Sequence, residues 1–224
     1  MHLGRANRKF KYTMGNHTLE ETTEEKDLGV VISSNLKPSK QCQQAYSKAS
    51  RALGLIHRSI SFKAPYVLLR LYKSLVRPHL EYCISAWAPH YVKDKVLLEH
   101  VQHRFTRMVP GRSNCHITLF LHRWTLEERR HHADLLEVFR MYKGLSLTPF
   151  CRYFTLTPVN NTRGLSAKVL KNRCSLDLRR FFFSERAVDR GNSLPQHVID
   201  SGSINAFKNG LTTMSRDSMG FFMD

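Results

Sequence analysis

The chain has 224 residues, 42% of them hydrophobic, with 35 Lys and Arg against 18 Asp and Glu, a formal net charge of +17 and a pI near 10.0. That length makes one large domain or two small ones, able to bury roughly 70% of the unfolded surface. A surplus of positive charge this size argues for an anionic partner, nucleic acid being the commonest, over a merely solvated basic surface. Cys42, Cys83, Cys115, Cys151 and Cys174 are an odd number spread tens of residues apart, with no C-x2-C pair. That excludes a disulfide framework and points to a reducing compartment, with neither a cofactor nor a structural metal expected.

The opening "MHLGRANRKFKYTMG" is charged and has no apolar core segment, so it does not read as a secretory signal. No stretch approaches the ~18 apolar residues of a bilayer span. The expectation is an intracellular protein, in nucleus or cytoplasm, without a membrane partner. Residues 8 to 32 read as β: "KFKYTM" alternates, Gly15-Asn16 supplies a turn, "TLEET" returns, and "DLGVVIS" is a short apolar run. Glu20, Glu21, Glu24 and Glu25 fall at neighbouring strand positions that face opposite ways, so they suit a solvated turn and edge rather than a shared substrate.

From Pro38 the period changes. Cys42, Ala45, Tyr46, Ala49, Leu53, Ile56 and Ile60 recur at the spacing of one helical face, while Lys40, Ser47, Lys48, Arg51 and Arg58 fall on the other. A second helix starts with Pro65 in its first turn and runs through Leu68, Leu71 and Leu75; Pro78 must end or kink it, and "HLEYCISAW" resumes helical spacing. A third begins near Lys93, carries Leu97, Val101, Phe105 and Met108, and stops at Pro110-Gly111. From Lys37 to Arg112 there are fourteen Lys and Arg against three acids, Glu81, Asp94 and Glu99. Helices with an apolar face inward and a cationic face outward suit phosphate contacts, which need charge but no base-reading geometry. Lys40, Lys48, Arg51 and Arg58 are the candidate contacts.

Thr125 and Glu128 have the spacing of a capping box, opening a helix that presents Leu135, Leu136, Phe139 and Tyr142 and meets Gly144 as its C-cap. "SLTPFCRYFTLTPVNNTRG" is turn-rich and reads as loop or linker, "RRFFFSERAV" as strand or helix start, and "INAFKNGLTTM" as a last short helix before a frayed tail.

Catalytic groups are missing. Two-metal phosphoryl transfer needs carboxylates around ions about 4 Å apart, and the chain has no Asp-Asp pair. Neither a phosphate-binding glycine loop nor a G-x-S-x-G nucleophile turn occurs. His116, His122, His131 and His132, near Cys115, match no ligand spacing. His131 and His132 diverge by about 100° on a helix, and surface positions are expected for them.

Seven blocks together carry a resemblance: "MHLG" with "YTMG", "KDLGVVIS", "SKQCQQAYSKASRALGLIHR", "LYKSLVRPHLEYCISAW", "LEHVQHRFTRMVPG", "LEERRHHADLLEVFRMYKG" and "SLPQHVIDSGSINAFKNGL". From end to end the chain resembles the C-terminal part of reverse transcriptases (RNA-directed DNA polymerases) of jockey-like non-LTR retrotransposons. The resemblance implies that Leu28-Gly29 is the primer-grip hairpin at the end of the palm, that the helices from Pro38 to Val109 are the thumb, and that the rest is a helical C-terminal extension. It places the catalytic aspartates upstream of "MHLG", so it implies descent and fold without polymerase activity. Gly191, before Asn192-Ser193-Leu194-Pro195, stands where the family pattern carries Trp.

The expected class is therefore α+β, mostly α: a small β hairpin or sheet over 1–36, a thumb-like basic helical segment over 37–112, and a helical lobe over 113–224. The expected function is non-catalytic, sequence-independent binding of an RNA–DNA hybrid or other template–primer-like duplex, alone or beside an intact polymerase palm. The alternative is a protein-interaction or decayed helical module whose charge is a relic.

Overall fold

The structure, a computed structural model, describes residues 1–4, 7–61, 64–109, 125–157 and 167–214. The expected helix stop at Pro110-Gly111, Cys115, His116, His122 and the tail after Met214 lie outside the described residues. The fold class is as expected: α+β and mostly helical, with two small antiparallel sheets. Two compact units form, one from Met1–Cys83 with Pro89–His122, the other from Ile84–Ala88 with Arg123–Asp224. They regroup the three expected segments, because the β element and the basic helices share one unit.

In the first unit, β1 (Thr13–Met14) and β2 (His17–Thr18) close around Gly15-Asn16. Then β3 (Glu24–Asp27) pairs with β4 (Val30–Ser33) in the register Asp27↔Val30 to Glu24↔Ser33. "DLGVVIS" is thus not one buried strand. Leu28 (φ 45°) and Gly29 (φ 86°) are the two left-handed residues of a hairpin turn, and Leu28 is 84% exposed. Only β4 turns inward, burying Val30 and Ser33.

Helix α1 (Ser39–Ser59) buries Cys42, Ala45, Ala49, Leu53 and Ile56, the face read from the sequence, together with Gln41. Gln41 Oε1 accepts the backbone N–H of Val31 at 2.8 Å, which fixes the hairpin to the start of the helix. Next come α2 (Pro65–Leu71), a π-helical turn (Tyr72–Val76) and α3 (Arg77–Glu81) without interruption. The wide turn, in which Arg77 N–H reaches Tyr72 O, lets the chain pass Pro78 without a break. The helical spacing of "HLEYCISAW" does not continue as helix. Tyr82 is extended, Cys83 is left-handed (φ 53°), and 82–86 is a run of turns. Helix α4 (Val92–Met108) buries Leu98, Val101 and Phe105 against α1. Tyr72 stacks on Phe105 with centroids 4.3 Å apart. Each such buried side chain contributes about 1.5–3 kcal/mol, so burial on α1, α4 and the π turn holds the unit together.

The second unit is organised on α5 (Leu126–Tyr142). Its capping box is formed: Glu128 N–H donates to Thr125 Oγ1 (3.2 Å) and Thr125 N–H to Glu128 Oε2 (2.5 Å). Gly144, at φ 68°, ends it with Leu145 N–H on Arg140 O, a Schellman closure. A short 3₁₀ turn (Phe150–Arg152) precedes α6 (Asp177–Arg180), α7 (Phe183–Arg186), α8 (Val188–Asn192), α9 (Gln196–Ile199) and α10 (Ile204–Thr213). One apolar cluster joins Leu135 and Phe139 to Leu194, Val198, Ile199, Phe207 and Leu211; another joins Met141 to Phe154, Val169, Phe183 and Val188. The stretch expected as a linker is therefore partly core, since Phe154 is 4% exposed and Leu156 bridges Val169. "RRFFFSERAV" runs from the end of α6 through a break at Phe181-Phe182 into α7 and the start of α8. Buried Asp134 takes a two-pronged bond from Arg186 Nε (2.8 Å) and Nη2 (2.9 Å), and Arg186 also caps Ile84 O and Phe181 O.

Candidate nucleic-acid interface

The basic face of α1 follows from its buried face. At 100° per residue, Lys40, Arg51 and Arg58 project within about 20° of one another, opposite the buried positions, and Lys48 lies about 80° away at the edge of the buried face beside Gln41; from Lys40 to Arg58 the stripe runs about 27 Å. Lys40, Arg51 and Arg58 are exposed and Lys48 is half-buried. Their engagements differ. Lys48 Nζ donates to Gln44 Oε1 at 3.2 Å and Arg51 Nε to Ser47 O at 3.4 Å, both within the helix. Lys40 Nζ is instead paired with Glu24 Oε1 on β3 at 2.8 Å. The acid read as a solvated edge thus touches the stripe, a link that no local pattern announces.

The hairpin turn carries Leu28 and Gly29 at one end of the same unit. Tyr82 Oη donates to Leu28 O at 2.9 Å, and a Cβ at residue 29 would stand 3.3 Å from the Tyr82 ring. Glycine is therefore favoured twice at residue 29, for its positive φ and for the ring against it. Tyr82 holds the turn from a position 54 residues away, beyond the reach of sequence reasoning.

Two lysines outside the expected set converge elsewhere in the unit. Lys37 Nζ lies 5.6 Å and Lys93 Nζ 5.7 Å from the centroid of the Tyr91 ring, where α1 and α4 begin. Ser39 Oγ bonds Asp94 Oδ2 at 2.5 Å and ties the two helix starts together. Arg104 and Arg107 are exposed further along α4.

His131 and His132 are not surface groups. Burial pushes His131 below the usual histidine range, aided by Arg190 and opposed by Glu127 and Asp134; its Nε2 stands 3.7 Å from Glu127 Oε1, too far for a hydrogen bond. Burial, then Lys208 and Arg129, lower His132 to about 4. Both imidazoles are neutral at pH 7, so they add nothing to the cationic surface. Among the described residues no group of three or more His, Cys, Asp or Glu is gathered as metal ligands, and no helix is long and apolar enough to cross a membrane.

No family model, curated protein or solved structure matches this chain.

Proposed function

We propose that this chain is a non-catalytic relative of the non-LTR retrotransposon reverse transcriptases whose first unit grips a nucleic-acid duplex by its phosphates. The observation that carries the reading is the cationic stripe on α1, set opposite the buried face of a helix fixed to an exposed Leu28-Gly29 hairpin turn. Phosphates are the partner that such a stripe recognises, because lysine and arginine on a helix flank supply charge without reaching base edges in a groove. A template–primer-like duplex, RNA–DNA hybrid included, is the substrate class, bound without sequence preference in nucleus or cytoplasm. The exposed apolar residues Phe10 (61%), Tyr12 (60%) and Met14 (72%) around β1 favour a polypeptide neighbour as well, such as an intact polymerase palm. Two-stranded ribbons are marginal alone.

The test is anisotropy of labelled hybrid duplexes of unrelated sequence with the purified protein. Equal affinities that fall steeply with salt are expected; absence of binding at low salt would favour the interaction-module reading. In the same preparation, primer extension with Mg²⁺ or Mn²⁺ is expected to stay at the no-protein background, since the sequence holds no Asp-Asp pair. Extension above that background would contradict the non-catalytic assignment.

A further inference from the structure

Lysines on a protein surface ordinarily spread apart, since each ammonium repels the next and keeps its own water. Lys37 and Lys93 each hold an ammonium within cation–π range of the one Tyr91 ring. Their backbones are anchored: Lys37 N–H donates to Asn35 Oδ1 at 2.9 Å and its carbonyl accepts Ser33 Oγ at 3.1 Å, while Lys93 sits in the first turn of α4. Tyr91 contributes twice, its carbonyl accepting the N–H groups of Asp94 and Lys95 as α4 begins, and its ring gathering the two ammonium groups. Cation–π attraction of about 0.5–1 kcal/mol each at an exposed site makes that gathering possible.

For folding alone the charges have the wrong sign. Cations at a helix start oppose the dipole, at about 0.3–1 kcal/mol each. The first turn of α1 has no acid, and the acid of the α4 first turn, Asp94, is 3% exposed and already bonded to Ser39. Among the described residues neither Lys37 nor Lys93 is paired with a carboxylate. Local arrangements that folding energetics disfavour are expected at functional sites, and a phosphate is the anion that two exposed ammonium groups suit.

We propose that Lys37 and Lys93, gathered over Tyr91, form a second phosphate-binding site that takes the nucleic-acid backbone beyond the Lys40 end of the α1 stripe. Tyr91 is its positioning residue. This rests on the duplex reading of α1, which it extends to Lys37, three residues before Lys40 in the chain, and to the start of α4.

The experiment compares Lys37→Ala/Lys93→Ala with Lys168→Ala/Arg173→Ala, an equal change of charge at exposed positions of the other unit. Anisotropy on one hybrid duplex is followed from 50 to 200 mM salt. Two lost contacts should shrink the salt-dependent loss of affinity roughly tenfold over that range, at a slope of about −0.9 per contact. The control pair should leave it unchanged. Tyr91→Leu, which keeps both charges and the backbone carbonyl, should weaken binding with little change in slope. Lys37→Gln/Lys93→Gln replaces the alanine pair if that lowers helical circular dichroism. If the native protein binds and the lysine pair behaves as the control does, this site is wrong and the duplex reading stands. If the native protein does not bind, both fall.

Discussion

Gly191 shows how much one residue decides. It lies inside α8 without a left-handed φ, and a Cβ there would meet Leu135 Cδ2 at 4.0 Å, an ordinary contact. It lines an apolar cavity of about 50 Å³ with Leu135, Phe139, Leu194 and Phe207. Gly191→Ala should therefore stabilise the second unit by about 0.5–1 kcal/mol, through helix propensity, with a small gain from the filled space. A rise in the urea midpoint at unchanged m-value checks this. His132 gives a pH dependence at the same scale. Its folded pKa, near 4, is below the ordinary 6.5, so the unfolded chain binds more protons between those values. Stability then rises with pH across that window and is lost as pH falls from about 6.5 toward 4. His131, facing Glu127, Asp134 and Arg190, is shifted the same way and adds to the slope. His132→Asn should lose less stability between pH 7 and pH 5 than the native chain, as read by thermal melts. Neither property was legible in the sequence, where His131-His132 looked like surface and Gly191 like a departure from pattern; burial by α10 and Lys208 comes from across the fold.

Elements were legible where local chemistry agrees with the global answer. The capping box of Thr125 and Glu128, the apolar face of α1 and Gly144 as a C-cap are all complete within a few residues, and all formed. The failures share one cause, contact from far away. Leu28-Gly29 lacks the usual Asn-Gly or Asp-Gly turn signature, and Tyr82 supplies what the pair lacks. "CISAW" has helical spacing, but Cys83 turns left-handed and sends Ile84 and Trp87 into burial instead. Asp134→Ala leaves Arg186 charged and buried without its carboxylate, so the second unit should lose about 3–5 kcal/mol, with partial recovery in Asp134→Leu/Arg186→Met. On the basic helix, Glu24→Gln should tighten duplex binding about two- to fivefold by releasing Lys40, the range expected of an exposed ion pair. Glu20→Gln, the same change of charge, is the control and should do less.

Across the whole molecule the charge is placed rather than spread. The stretch from Lys37 to Arg112 holds fourteen of the 35 Lys and Arg and three of the 18 acids, and its helices α1 to α4 belong to the first unit, where α1 and α4 pack on one another. Phosphates are proposed to lie along the outer face of α1. The most direct measurement is the salt dependence of hybrid-duplex binding by Lys40→Ala/Lys48→Ala/Arg51→Ala/Arg58→Ala beside the native chain. Lys40, Arg51 and Arg58 are exposed, where such changes usually alter stability within about 0.5 kcal/mol each, and Lys48 is half-buried; circular dichroism should show a folded protein. Four phosphate contacts contribute roughly 3 to 4 to the slope of log affinity on log salt. The variant should bind more weakly on every sequence, with a slope shallower by up to that amount. A folded variant with native affinity and native slope would contradict that placement.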